Sequence, residues 1–114
     1  MQDWEQAEQA WADRAQRAQA QAAQALERLL RLTETSDSGQ IGRVARFIAS
    51  TYNGQAFPFD PFDLRSVDVA ISDDMLTCLD ALRWGRADLY KLVPDGEKRI
   101  LAMCDAWGIQ WPEN

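Results

Sequence analysis

Trp4, Trp11, Ala18, Ala25 and Leu32 recur every seven residues, and Glu8, Ala15, Ala22 and Leu29 follow the first four at a distance of four. Together the two rows trace one narrow stripe at i, i+4, i+7, the signature of a long amphipathic helix. The first 25 residues hold nine Ala and seven Gln with no Gly, Pro or β-branched residue, so helix propensity there is close to its ceiling. Asp3, Glu5, Glu8 and Asp13 crowd the start, while Arg28 and Arg31 sit near the end, a polarity that suits the helix dipole. The pattern predicts a first helix over roughly 2 to 35. Its stripe changes along its length, from two indoles through alanine methyls to Leu26, Leu29, Leu30 and Leu32. The leucine end suits a core. The alanine stretch admits a close helical neighbour, either from the same chain or from a partner anchored on Trp4 and Trp11.

Residues 33–39 (TETSDSG) read as a turn, and Asp37 with Gln40 has the spacing of a capping box. Ile41, Val44, Ala45, Ile48 and Tyr52 then share one face of a second helix, with Arg43 and Arg46 expected on its solvated side. Asn53-Gly54 predicts a left-handed stop. Pro58 and Pro61 exclude a regular helix or central strand from residues 55–63 (QAFPFDPFD). Phe57, Phe59 and Phe62 therefore belong either to a loop folded back as a lid or to an aromatic docking ridge.

Residues 63–84 carry Leu64, Val67, Ile71, Met75, Cys78 and Leu82 at helical spacing, although residues 67–71 (VDVAI) alternate like a short strand. Helix is favoured, because no second strand exists to pair with that run. A break with a fresh cap is expected near Ser72-Asp73-Asp74. Gly85 ends the run, residues 86–93 read as a short helical connector burying Leu89 and Leu92, and Asp95 is expected to cap a last helix. Ile100, Leu101, Cys104 and Trp107 form the apolar face of that helix, closed by a Schellman stop at Gly108-Ile109. The expected architecture is all-α: a small bundle of about four to five helices with a long N-terminal helix. Residues 1–25 form a helical arm continuous with the first core helix, and residues 26–114 a compact helical domain.

Composition narrows the chemistry. The chain has 114 residues and no histidine, which removes triad hydrolases and His-based zinc or iron sites. Its net charge of −6 argues against direct nucleic-acid binding. The two cysteines, Cys78 and Cys104, occupy apolar helical positions, as free buried thiols do, although a bridge between packed helices is an alternative. With no basic leader and no apolar stretch of about 18 residues, a cytoplasmic protein away from membranes is expected.

Charge is unevenly placed. Residues 57–84 hold Asp60, Asp63, Asp68, Asp73, Asp74 and Asp80 against Arg65 and Arg83, so they carry −4 of the −6. The calcium-loop pattern is absent, no phosphate loop or nucleophile elbow accompanies the carboxylates, and so small a bundle leaves little room for a catalytic cleft. No cofactor, metal or catalytic residue is expected. Helix capping explains several of the aspartates. The alternative is an acidic face that complements a basic groove on a partner protein.

The runs RVARFI at residues 43–48, FDL at 62–64, VDVAI at 67–71 and SDDML at 72–76 give a resemblance. Over residues 25–84 the chain resembles small proteins of unassigned activity carried on proteobacterial integrative conjugative elements and plasmids. The resemblance weakens after Gly85 and excludes the arm. It implies a mobile-element setting, in which proteins that disarm host machinery are frequent.

The leading expectation is a non-catalytic acidic interaction protein that inhibits a host nucleic-acid-handling complex of the anti-phage, CRISPR type by binding its protein surface. Its partner-binding residues would be Asp60, Asp63, Asp68, Asp73, Asp74, Phe57, Phe59, Phe62, Trp4 and Trp11. The alternative is a self-associating structural or regulatory adaptor, a homodimer through the N-terminal helix.

Overall fold

A computed structural model describes residues 2–113. Four helices, α1 (Gln2–Thr35), α2 (Gly39–Tyr52), α3 (Val69–Trp84) and α4 (Gly96–Ala106), are joined with two 3₁₀ turns, Pro61–Arg65 and Leu89–Leu92. No strand occurs among the described residues, so the alternation at residues 67–71 is not a strand. Met1 and Asn114, the outer bounds of the two expected segments, lie outside the described residues. Among those residues no helix is long and apolar enough to cross a membrane.

At about 1.5 Å per residue, the 34 residues of α1 run nearly the whole 53 Å long axis of the molecule. The heptad rows become a buried seam from Ala15 onward: Ala15, Ala18, Ala22, Ala25, Leu26, Leu29 and Leu30 are all inside. Burial therefore begins ten residues before the change in composition at residue 25. The alanines let α3 approach closely, and Met75, Cys78 and Ala81 of α3 join the same core. The two helices are antiparallel, because Arg28 bonds Asp74 at 2.8 Å near one end while Arg14 lies 5.4 Å from the Trp84 ring near the other. Asp3 and Glu5 fall in the first turn of α1, as the dipole reading expects, while the last turn holds no base; Arg31, just before it, bonds Glu27 at 3.1 Å.

The central helix is α2, with Ile41, Val44, Ala45, Phe47, Ile48 and Ala49 buried. At about 1.5–3 kcal/mol for each large apolar side chain removed from water, this face contributes to the cohesion of the fold beside the buried seam of α1. Phe47 has no apolar-stripe role in the sequence reading, yet it is fully buried and meets the edge of Phe59 at 5.2 Å.

Several joints differ from the sequence expectation. The Asp37–Gln40 box does not form: Ser38 occupies the N-cap position without a side-chain bond, and Gln40 reaches across to α3 instead. Its amide donates to an Asp68 oxygen at 3.2 Å and accepts the Asp68 N–H at 2.9 Å. Asn53 ends α2 in an extended rather than left-handed conformation, its side-chain oxygen accepting the Gln55 and Ala56 N–H groups at 3.1 and 3.0 Å. The fresh start expected at Ser72 lies earlier, at Asp68, whose carbonyl accepts the Ile71 and Ser72 N–H groups. Asp95 does occupy the N-cap position of α4, as expected, but at φ 55 and with no side-chain cap bond. On α4, Met103 is buried and Leu101 exposed, the reverse of the weight expected of that face.

Other joints follow the expectation. Gly85 stops α3 at φ 66, and Gly108 takes φ 70 while the Ile109 N–H bonds the Cys104 carbonyl at 2.8 Å, closing a Schellman turn. Leu89 of the connector is buried and Leu92 half-buried. Cys78 and Cys104 are both buried and unpaired.

Candidate interaction surfaces

Two aspartates of residues 57–84, Asp63 and Asp74, are drawn into the fold by bases from outside the segment. Arg28 of α1 holds Asp74 with two hydrogen bonds at 2.8 and 3.0 Å. Arg43 and Arg46 of α2, expected to be solvated, both approach Asp63, at 3.8 and 3.7 Å. Asp80 pairs with Arg83 at 2.7 Å, Asp68 is held by Gln40, and Asp60 accepts the Phe62 N–H at 3.0 Å as the cap of the first 3₁₀ turn. The three guanidiniums from α1 and α2 bring the local balance from −4 to −1. Of these six aspartates only Asp73 is exposed with no side-chain bond or ion pair among the described residues; its carbonyl accepts the Thr77 hydroxyl. Asp73 lies between Val69 and Leu76 at i, i+4, i+7 on the outer face of α3, where both apolar neighbours are exposed.

The three phenylalanines divide. Phe57 is buried with its ring 4.8 Å from Trp111, and Phe59 is half-buried against Phe47. Phe62 alone projects, 68% exposed, with the Arg65 guanidinium 5.9 Å from its ring. Residues 55–60 are thus a lid over α2, and the aromatic ridge is reduced to one side chain.

The N-terminal arm differs from both. Trp4 is 67% and Trp11 58% exposed, although they occupy the same heptad row as buried Ala18 and Ala25. The reason is the length of α3. Its last residue, Trp84, sits between the guanidiniums of Arg14 and Arg83, 5.4 and 5.3 Å from the ring. Beyond it Gly85 ends the helix at φ 66, so among the described residues α3 does not cover the row of Trp4 and Trp11. A groove of about 590 Å³ occupies that place, lined by Glu5, Glu8, Gln9, Trp11, Ala12 and Arg86. Sequence reasoning missed Arg86, which faces the arm only because α3 runs antiparallel to α1. Residues 3–13 hold Asp3, Glu5, Glu8 and Asp13 and no base; of these, Glu5 and Glu8 line the groove with Arg86 beside them, while Asp13 lies on another face with Gln16 and Arg17.

A second cleft of about 380 Å³ lies between α2 and the end of α4, with Gly42 at its floor and Arg46, Phe57, Pro58 and Trp107 around it. The Trp107 indole N–H donates to the Thr33 carbonyl at 3.0 Å, which fixes that ring to the end of α1. Among the described residues no group of three or more His, Cys, Asp or Glu side chains is arranged to hold a metal ion. Burial pushes the Cys78 thiol up to about 12 and the Cys104 thiol upward as well, so both are held as neutral core groups.

No curated protein and no solved structure matches the chain. Residues 23–108 match a family of unknown function (DUF7673), a span that runs from the middle of α1 through α4 and leaves Trp4, Trp11 and Trp111 outside it.

Proposed function

The chain belongs to the DUF7673 family, and from its own exposed surface we infer that it is a non-catalytic protein-binding module that engages its partner through the N-terminal arm. The observation that carries this reading is the exposure of Trp4 and Trp11 on a helical face whose continuation is fully buried. A helix that needed only to serve its own core would end its apolar row where its neighbour ends. Two indoles placed beyond that point are the side chains that most often anchor interfaces. The two buried, unpaired thiols suit a reducing cytoplasm.

A second reading is favoured by one specific feature, the exposed Val69–Asp73–Leu76 row on α3 with Phe62 on the preceding turn. In that reading the protein comes from a mobile element and blocks a host nucleic-acid-handling complex of the anti-phage type through this small acidic and apolar face. The two readings separate in one experiment. The full chain, a Trp4→Ala/Trp11→Ala variant and an Asp73→Lys variant are each used to capture partners from nuclease-treated bacterial lysate. Loss of one and the same captured protein in the tryptophan variant alone supports the arm; loss in the Asp73 variant alone supports the α3 face. Equal capture by all three removes both.

A further inference from the structure

We propose that the free face of the arm receives a basic amphipathic helix of a partner protein, lying antiparallel to α1 in line with α3. This rests on the reading of the arm as the binding element, and adds the kind of segment it binds.

Three observations lead there. The first is continuity. The heptad rows of α1 run unbroken from Trp4 to Leu32, and over Ala15 to Leu30 they are covered by an antiparallel helix, α3. The same rows present the same geometry before Ala15, and the groove of about 590 Å³ lies where α3 would continue. A helix is therefore the shape that fills it. On the covered stretch α1 supplies small alanines and α3 supplies Met75 and Cys78. On the free stretch α1 supplies indoles, so the incoming helix must present small residues opposite them.

The second is charge. Glu5 and Glu8 line the groove and only Arg86 of its lining offsets them, so the lining is net acidic. A second copy of the arm would bring its own Glu5 and Glu8 against these carboxylates, like charge against like. Lysine or arginine flanks on the partner remove that repulsion and add attraction. The third is a contact already made inside the molecule: Arg14 and Arg83 both lie against the Trp84 ring. Basic flanks would meet Trp4 and Trp11 in the same way. Two indoles bury about 150–250 Å² each, less than the ~800 Å² per partner of a standard stable interface, so the expected complex is transient.

The test uses the full chain and two fluorescein-labelled synthetic helices, one with an alanine seam and lysine flanks, the other identical but with glutamate flanks. Anisotropy titration should show micromolar binding of the lysine helix and none of the glutamate helix. The Trp4→Ala/Trp11→Ala variant should weaken binding roughly tenfold or more, and raising salt from about 50 to about 500 mM should weaken it further. Both tryptophans lie outside the core, and unchanged circular dichroism of the variant confirms that it folds. Lysine-helix binding that is indifferent to the tryptophan variant overturns the proposal, because the peptide then sits elsewhere. No binding of either helix overturns it too. Light scattering supplies the remaining outcome: a wild-type dimer that becomes monomeric in the tryptophan variant makes a second copy the occupant, which overturns this proposal while leaving the arm as the binding element.

Discussion

Arg99 of α4 donates two hydrogen bonds to the Glu27 carboxylate on α1, at 2.7 and 2.8 Å, across 72 residues of sequence. The same guanidinium reaches Glu34 at 2.9 and 3.0 Å, so one side chain fastens the last helix to two turns of the first. The hydrogen bond from Arg99 is the main reason the Glu27 carboxyl is held down at about 2 instead of 4.5; partial burial opposes it, and Arg31 assists. A carboxyl depressed in the folded state stabilises the fold when ionised. Its contribution is complete above the ordinary value of 4.5 and is lost as pH falls toward about 2. Urea unfolding curves should therefore lose stability across that window in the native chain. Glu27→Gln should be less stable at neutral pH by about 1–3 kcal/mol, reduced by solvent screening of a partly exposed pair, and its profile should be flatter between those two pH values. Parallel profiles for the two proteins would remove Glu27 as the source.

Two glycines separate backbone conformation from space. Gly85 has φ 66 with open space where a Cβ would stand, so Gly85→Ala should cost only the left-handed strain, about 1–2 kcal/mol. At Gly96 the φ is ordinary, but a Cβ would run into the Tyr90 carbonyl and press on Val93. That obstacle is backbone and cannot swing away. Gly96→Ala should therefore be the worse substitution, destabilising by about 3 kcal/mol or more, with the connector Leu89–Leu92 displaced from the core. Chemical denaturation of both variants ranks them; equal losses would count against the close approach of α4 to Tyr90.

The long first helix, the stops at Gly85 and Gly108 and the unpaired thiols were legible because each is written locally, in periodicity, in a glycine or in an apolar position. The fate of the aspartates was not. Asp74 finds its base 46 residues away and Asp68 its amide 28 residues away, and nothing in residues 57–84 records those partners. An excess of −4 along the chain is therefore a statement about order in sequence, and folding spends most of it on internal pairs. The phenylalanines teach the same lesson: prolines predict an irregular loop, but which ring lies inward depends on partners outside it, Phe47 in α2 and the distant Trp111. The exposure of Trp4 and Trp11 needed one further fact, the point at which α3 ends.

Adjacent aspartates should consequently behave differently. Asp74 is partly buried and doubly bonded to Arg28, whereas Asp73 is solvated. Asp74→Asn should lower stability by about 1 kcal/mol, in the range of a well-oriented charged pair near the surface, while Asp73→Lys should change it by less than about 0.5 kcal/mol. Thermal melts check both. The comparison also sets how an acidic-face reading must be tested: reversing both residues together would mix loss of fold with loss of binding, and only the single Asp73 variant isolates the surface.

Truncation from the N-terminus should show where the arm ends and the core begins. Trp4 and Trp11 are exposed, but Ala15, Ala18 and Ala22 lie in the seam against α3. Removing residues 1–12 takes away none of the buried positions and should leave the melting temperature within a few degrees, since a change of 1 kcal/mol moves it by about 4–8 °C in a domain of this size. Removing residues 1–24 strips three buried alanines and the Arg14 contact to Trp84, exposing the apolar face of α3 that they cover. That chain should melt much lower, or aggregate, with Trp84 fluorescence shifted toward that of a solvated indole. The composition boundary at residue 25 and the burial boundary at Ala15 thus predict different outcomes for the two deletions. Equal stability of both truncated chains would place the whole alanine stretch outside the core and break the link between the seam and α3.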